Sequence, residues 1–309
     1  MIIFKERLIL TLLLFTGLMF VTVYIIKPQP VWGSKHYLFY KKKLNAPPIH
    51  NIVIAGDSRV LRDLSPLELG KEVGLDYKIT NFGFSFTGLN PLMYPEIEKK
   101  LIGDGSFRMI LIGVGPRMFL ESLSGNPEMV SYREASWFKV LTAQLDKYLT
   151  PTSFDLAFKN IKSAWSGTPR HGFFEEEREN GWLAGWRYPL DENRAEEFYL
   201  NTFKKEKVSN TIIDATFRQL RAWRQKGIRV VGFRPPVSPR IYQIEQQLSN
   251  FDEMDFVAKW RANGGDWLDM PMAGYKTYDG SHLEVESAIK FSRAIGLRLK
   301  QEQLLGPWF

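Results

Sequence analysis

The chain has 309 residues, 44% of them hydrophobic and 24% charged. That is the balance of a folded protein with room for one generous core and an inserted subdomain, not of a disordered one. It has no cysteine, which excludes disulfide frameworks, thiolate zinc sites and cysteine nucleophiles. Its net charge of +7 is scattered, without the basic stripe interleaved with aromatics that nucleic-acid binding calls for. An anionic membrane surface or an acidic glycan fits that charge equally well.

In chain order, the first feature is Leu8–Ile26, uncharged throughout and bounded by Lys5-Glu6-Arg7 and Lys27. At the helical rise it reaches about 28 Å, the hydrocarbon thickness of a bilayer. Tyr24-Ile25-Ile26-Lys27-Pro28 offers no small-x-small cleavage site, so residues 1–27 read as an uncleaved single-pass anchor rather than a signal peptide. Flanking lysines and arginines on both sides leave its orientation balanced. Residues 28–50, with Pro28, Pro30, Pro47 and Pro48, read as a stalk.

From residue 51 to 303 the pattern is that of one α/β domain. Strands are expected at Ile52–Ala55, Tyr77–Thr80, Met109–Ile112, Ile228–Phe233 and Trp267–Met270. Helices are expected from Ser65-Pro66, over Pro91–Ile102, Thr211–Lys226, Ile241–Ala262 and Leu283–Gln303. Such alternation predicts a mostly parallel sheet with ligands at the carboxyl ends of its strands. Between about 118 and 207 the alternation fails, and this stretch reads as a helical insertion over the site face. There the run Glu175-Glu176-Glu177-Arg178-Glu179 is expected to be a solvated helix face. Trp182 and Trp186, four apart, would share a helical face as a sugar platform or fill core.

Gly56-Asp57-Ser58-Arg59 follows the first strand, and Tyr278-Asp279-Gly280-Ser281-His282 lies near the end of the chain. Gly-Asp-Ser alone would be an ordinary helix start. The chain holds four histidines, and of these His36 and His50 fall in the stalk and His171 in the insertion. Only His282 stands where the fold can return it to the first strand. Ser58 needs a base for its proton, His282 can be that base, and Asp279 can fix the imidazole tautomer. One His and one Asp do not make a metal site, so neither metal nor cofactor is expected.

These pieces, with Asn81-Phe82-Gly83 and Gly113-Val114-Gly115 between them, resemble the SGNH/GDSL hydrolase superfamily. Within it they look most like membrane-anchored, GDSR-bearing relatives that include polysaccharide O-acetyltransferases. The resemblance implies an SGNH-hydrolase-like three-layer sandwich, a triad of Ser58, Asp279 and His282, and oxyanion donors at the backbone of Ser58 and Gly83. The family's third donor, an asparagine, is replaced by Gly115, whose backbone N–H, Arg59 or Arg117 is left to compensate.

Arg59, Arg117 and Arg234 are expected around one rim, either as surface arginines or as a grip on an acidic sugar or head group. The function implied is O-acyl, chiefly O-acetyl, transfer through acyl-Ser58 onto an extracytoplasmic (periplasmic) polysaccharide or envelope glycan. A multi-spanning membrane acyltransferase is implied as donor partner. An esterase with the same triad and a catalytically weak scaffold for exopolysaccharide assembly stand as alternatives.

Overall fold

The structure, a computed structural model, describes residues 7–17, 36–74, 76–103, 105–149, 162, 165–167 and 171–306. Five strands build one parallel sheet: β1 (Ile52–Gly56), β2 (Ile79–Gly83), β3 (Met109–Gly113), β6 (Arg229–Phe233) and β7 (Asp266–Leu268). Their spatial order is β2-β1-β3-β6-β7. Two more, β4 (Gly172–Glu177) and β5 (Leu183–Tyr188), pair as a separate antiparallel hairpin. β1, β2 and β3 are buried along their whole length, which is why β1 and β3 read as continuous apolar runs rather than alternating ones.

Successive residues still serve opposite faces. Val53, Ala55, Ile110 and Ile112 join one core with Ile97, Leu220, Trp223 and Phe256. Those partners come from α4 (Met93–Glu98), α8 (Asn210–Gln225) and α10 (Glu253–Ala262). Ile52, Ile54, Met109 and Leu111 join the other core with Leu69 and Val73 of α3 (Pro66–Val73) and Phe291 and Ile295 of α11 (Val285–Gln301). Helix α3 opens with the expected serine cap, Ser65 accepting from Glu68 N, and Pro66 at its first turn. It crosses α11 so closely that a Cβ on Gly296 would stand 2.6 Å from Glu72 Cβ. The result is a three-layer α/β sandwich with the ends of β1, β2 and β3 side by side.

Several elements depart from expectation. β2 runs Ile79–Gly83, carrying the polar Asn81 into the interior, because Asn81 Nδ2 donates to Val60 O at 2.6 Å and Leu64 O at 2.8 Å. The helix expected over 241–262 is two helices, α9 (Pro239–Leu248) and α10. Asn250 turns left-handed between them (φ 61°), and Asp252 caps α10 by accepting from Asp255 N. The insertion is not wholly helical. It contains α5 (Pro127–Glu134), α6 (Trp137–Leu149), the β4–β5 hairpin and α7 (Glu196–Lys205). Trp182 therefore lies just ahead of a strand, buried, with its indole N–H donating to Arg62 O, and Trp186 stacks on Phe174. They form no helical platform.

Residues 36–50, expected in the stalk, are packed domain. Helix α1 (Tyr37–Leu44) buries Phe39, Tyr40 and Leu44 in the first core, and its Lys43 Nζ donates to Gly83 O at 2.7 Å. Residues 28–35 lie outside the described residues. So does much of the expected anchor: residues 7–17 are helical with exposed leucines, and 18–26 are not described. Among the described residues no helix is long and apolar enough to cross a membrane.

The hairpin meets the start of α1 through charge as well as through the apolar cluster that Leu183 shares with Phe39 and Tyr40. His36, just ahead of α1, lies buried between Glu175 (Nε2–Oε2 3.2 Å) and Glu177 (Nδ1–Oε1 2.6 Å), and Arg62 pairs with Glu175 at 2.6 Å. The acidic run is thus strand, with Glu175 inside. Burial opposes a charge on His36, but the hydrogen bonds and charges of Glu175 and Glu177 outweigh it and raise its pKa. Burial also works to raise Glu175, and Arg62 and His36 bring it down to about 2. A raised folded pKa gives stabilisation that is complete below the unfolded value and lost as pH rises through the folded one. The His36 contribution should therefore be full below the ordinary histidine pKa of 6.5 and fade above it. Thermal melts of wild type and His36→Gln should stand apart at about pH 5 and converge towards about pH 9. A gap that stays constant over that range would remove His36 from the pH response.

Candidate active site

Ser58 opens the short helix α2 (Ser58–Asp63) directly after β1. Gly56 and Gly113 make the turn possible by close approach, since a Cβ on either would collide with the Val60 side chain that folds back over them. Asp57 caps the helix, its Oδ1 accepting from Arg59 N at 3.0 Å. As the first residue of α2, Ser58 has a backbone N–H without an intrahelical acceptor.

The loop before α11 brings back the second half. His282 Nε2 stands 2.9 Å from Ser58 Oγ, and His282 Nδ1 stands 2.9 Å from Asp279 Oδ2. The other carboxylate oxygen, Oδ1, accepts from Ser281 N and His282 N at 2.9 Å each and from Ser281 Oγ at 3.2 Å. Burial pushes Asp279 upward, but the charge and ring hydrogen bond of His282 and the two backbone N–H donors hold it well below the usual carboxylate range. An ionised carboxylate at Nδ1 keeps the proton there and turns the Nε2 lone pair to the serine. Ser58, 224 positions before His282, joins His282 and Asp279 in one continuous hydrogen-bonded chain.

Two neighbours that sequence reasoning did not single out support the histidine loop, one at the ring and one at the backbone after it. Tyr278 stacks on the imidazole, ring centroids 5.6 Å apart and planes 14° from parallel. Asp63, at the far end of α2, accepts from Leu283 N at 2.9 Å and so ties the helix that Ser58 opens to the histidine loop. Burial raises the Asp63 pKa well above its ordinary value, and the Leu283 N–H only partly offsets this. Tyr278 adjoins the Asp-x-x-His piece, a signal available from the sequence; nothing local marks Asp63.

The expected oxyanion donor Gly83 is otherwise engaged. Its N–H donates to Asn81 Oδ1 at 2.8 Å, and its carbonyl accepts from Lys43. The reason is the buried Asn81, whose amide spans two carbonyls and whose oxygen needs a donor of its own. Gly115 N–H, by contrast, has no hydrogen-bond partner among the described residues.

The three arginines do not form an open rim. Arg59 and Arg234 are buried and share the fully buried Glu245: Arg59 Nη2 meets Oε1 and Arg234 Nη2 meets Oε2, each at 2.5 Å. Arg59 also donates to Tyr199 Oη at 2.9 Å, and Arg234 to Val114 O at 3.2 Å. This explains Gly115: a Cβ there would stand 2.9 Å from Arg59 Nη1. The guanidinium fills the space where a side chain at 115 would begin. Arg117 is buried separately, among the rings of Phe86, Phe198 and Tyr199. No group of three or more metal-ligating side chains occurs among the described residues.

No protein-family model and no curated protein matches the chain. Among solved structures it is similar to Est24, a carbohydrate acetylesterase from Sinorhizobium meliloti, at 11% identity and a TM-score of 0.37, over 83% of this chain and 100% of that one. A protein described as a platelet activating factor from Streptococcus pneumonia is similar at 14% identity and a TM-score of 0.31, over 93% of this chain and 98% of that one. Scores this low decide neither fold nor function, which rest on the sheet and the site themselves.

Because the space at 115 is filled, Gly115→Asn, which would put an amide donor beside the site, should harm the protein. Overpacking against Arg59 and its ion pair should cost about 1–3 kcal/mol, read as a lower urea midpoint with an unchanged slope. A variant as stable as wild type would mean that Arg59 moves aside freely.

Proposed function

We propose that this protein is a serine-dependent O-acyl enzyme that carries its acyl group on Ser58. The observation behind the proposal is the unbroken chain Ser58–His282–Asp279, with both links at 2.9 Å. In this reading His282 Nε2 takes the Ser58 proton as Oγ attacks an ester carbonyl. Asp279 stabilises the imidazolium that forms, and His282 returns the proton to the leaving oxygen. The Ser58 N–H meets the developing oxyanion. In the second half a hydroxyl gives its proton to His282 as its oxygen attacks the acyl carbon, the bond from that carbon to Ser58 Oγ breaks, and His282 returns the proton to Oγ as the new ester leaves.

The acceptor in this reading is a carbohydrate hydroxyl, making the reaction O-acetyl transfer onto an envelope glycan supplied by a membrane-embedded acetyl donor. Water at the same acyl-Ser58 would make the protein an esterase. A pure scaffold has no use for a serine, histidine and aspartate aligned in this way.

A fluorophosphonate probe should label wild type and not Ser58→Ala. Asp279→Asn should lower turnover by about 10³–10⁴ through loss of the productive tautomer, with the fold retained. Given an activated acetyl ester, the enzyme should release acetate slowly alone, and consume ester faster with an oligosaccharide present, yielding acetylated sugar. Fast acetate release that no acceptor alters would make it an esterase; labelling of neither protein would leave the scaffold.

The uncharged run Leu8–Ile26 supports a second proposal, that a single N-terminal span holds the domain outside the cytoplasm. The protein should then stay with membranes through high-salt washing and be digested by protease added to spheroplasts. Protection from that protease would rule out an extracytoplasmic acceptor.

A further inference from the structure

Three arginines stand at the strand ends, and their surroundings separate them. Arg59 and Arg234 have their charge paired by Glu245, although Arg59 Nε and Nη1 and Arg234 Nε are also buried without a hydrogen-bond partner. Arg117 is only 7% exposed, yet among the described residues its guanidinium has no hydrogen bond or ion pair, and its Nε is buried without a partner. A buried cation is ordinarily paired, because leaving it unpaired forfeits its hydration for nothing. Here it is held only by ring faces: Phe198 at 4.8 Å, Tyr199 at 5.4 Å and Phe86 at 5.7 Å. Stacking occupies the faces of a guanidinium and leaves its in-plane N–H fork, which suits a planar carboxylate.

Two of those rings also face outward. Phe86 is 51% exposed and Phe198 44%, and they meet edge to face at 6.4 Å. Phe86 holds a left-handed backbone (φ 46°), a conformation that a bulky residue rarely adopts. Aromatic surface left open beside a polar group suits a ligand with one apolar face and one polar edge, as a pyranose has.

The place is linked to the proposed triad through shared neighbours. Arg117 follows Gly115 at the end of β3, and Phe86 lies in the loop after β2. Phe198 lies on α7, reached just after Ala195, whose N–H donates to Asp279 O at 3.0 Å. Tyr199, under the Arg117 guanidinium, also accepts from Arg59, the residue after Ser58.

We infer that Arg117, Phe86 and Phe198 form the subsite for an acidic sugar, a pyranose bearing a carboxylate, with its ring on the phenyl groups and its carboxylate on the guanidinium. This rests on the carbohydrate reading above and names the class of sugar.

The test reads binding without turnover. Full-length Ser58→Ala protein in detergent micelles is titrated with methyl glucuronoside, methyl glucoside and glucose 6-phosphate by calorimetry. The glucuronoside should bind about ten- to hundred-fold more tightly than the glucoside, the range of a hydrogen bond to a charged group. Arg117→Gln should bring that ratio towards one, Arg117→Lys should keep part of it, and Phe198→Ala should weaken both glycosides. Equal affinities for the two glycosides, or a ratio that survives Arg117→Gln, would overturn the subsite. Tighter binding of the phosphate would overturn its assignment to a carboxylate. Should Arg117→Gln not fold, an undiminished ratio in Arg117→Lys, or unchanged glycoside binding in the exposed Phe198→Ala, would overturn it instead. A protein that binds the glucuronoside but resists the fluorophosphonate would fail the acyl reading alone. One that labels at Ser58 without preferring the acidic sugar would fail this inference alone.

Discussion

The carboxylate of Glu245 is the point on which the geometry around Ser58 depends. It has no exposed surface, and each of its oxygens meets a different buried guanidinium. Taking three charges from water costs several kcal/mol per ion, so such a cluster adds little net stability compared with apolar packing. What it confers is position. Arg59 belongs to the turn after β1, Arg234 to the loop after β6, and Glu245 to α9. Arg234 also holds Val114 O after β3, and Arg59 holds Tyr199 of α7. One carboxylate thereby locks three strand ends and two helices around the serine. An arrangement lacking any member would strand a buried charge, and that penalty is large enough to leave one arrangement standing.

A comparable use of charge closes the other side of the molecule. β2 is the outer strand of the parallel sheet, and an open edge invites pairing with other chains. Here the turn Glu179–Gly181 leans on it instead: Thr80 Oγ1 donates to Asn180 O, and a Cβ on Gly181 would strike Asn81 O. The hairpin behind that turn is pinned by Glu175 to His36 and Arg62. Arg62 lies on α2, four residues beyond Ser58, and its carbonyl receives the Trp182 indole. The insertion is thus coupled to the helix that carries the proposed nucleophile.

The central strands, the serine turn and the Asp-x-x-His loop were legible in the sequence because their signals are local. Apolar runs of four or five residues, a glycine before the turn and Gly280 between Asp279 and His282 all announce themselves within a few positions. Asp252 between α9 and α10 was equally local but was overridden by helical periodicity on both sides. The rest was not local. Pro28, Pro30, Pro47 and Pro48 read as a stalk over 28–50, yet Lys43 within it is buried because Gly83 O and three aromatic rings receive its ammonium. The acidic run looked like a helix face because its counter-charges, His36 and Arg62, lie more than a hundred residues away. The arginines likewise looked alike until Glu245 separated two of them from the third.

That separation bears on the fate of an acyl-Ser58. In the proposed reaction the triad would treat water and a sugar hydroxyl alike, since His282 would take a proton from whichever arrives. Water is present at about 55 M, whereas a well-oriented bound reactant can act at an effective molarity of about 10⁵ M or more. An enzyme with no means of seating an acceptor therefore hydrolyses, and one that seats it well transfers, with the same three residues. Excluding water helps, but gripping a remote part of the acceptor is what turns binding energy into orientation at the reacting hydroxyl. Arg59 and Arg234 are buried with their charge already paired by Glu245. Arg117, with no side-chain hydrogen bond or ion pair among the described residues and flanked by two exposed rings, is the cation that the proposed subsite would offer to an acceptor.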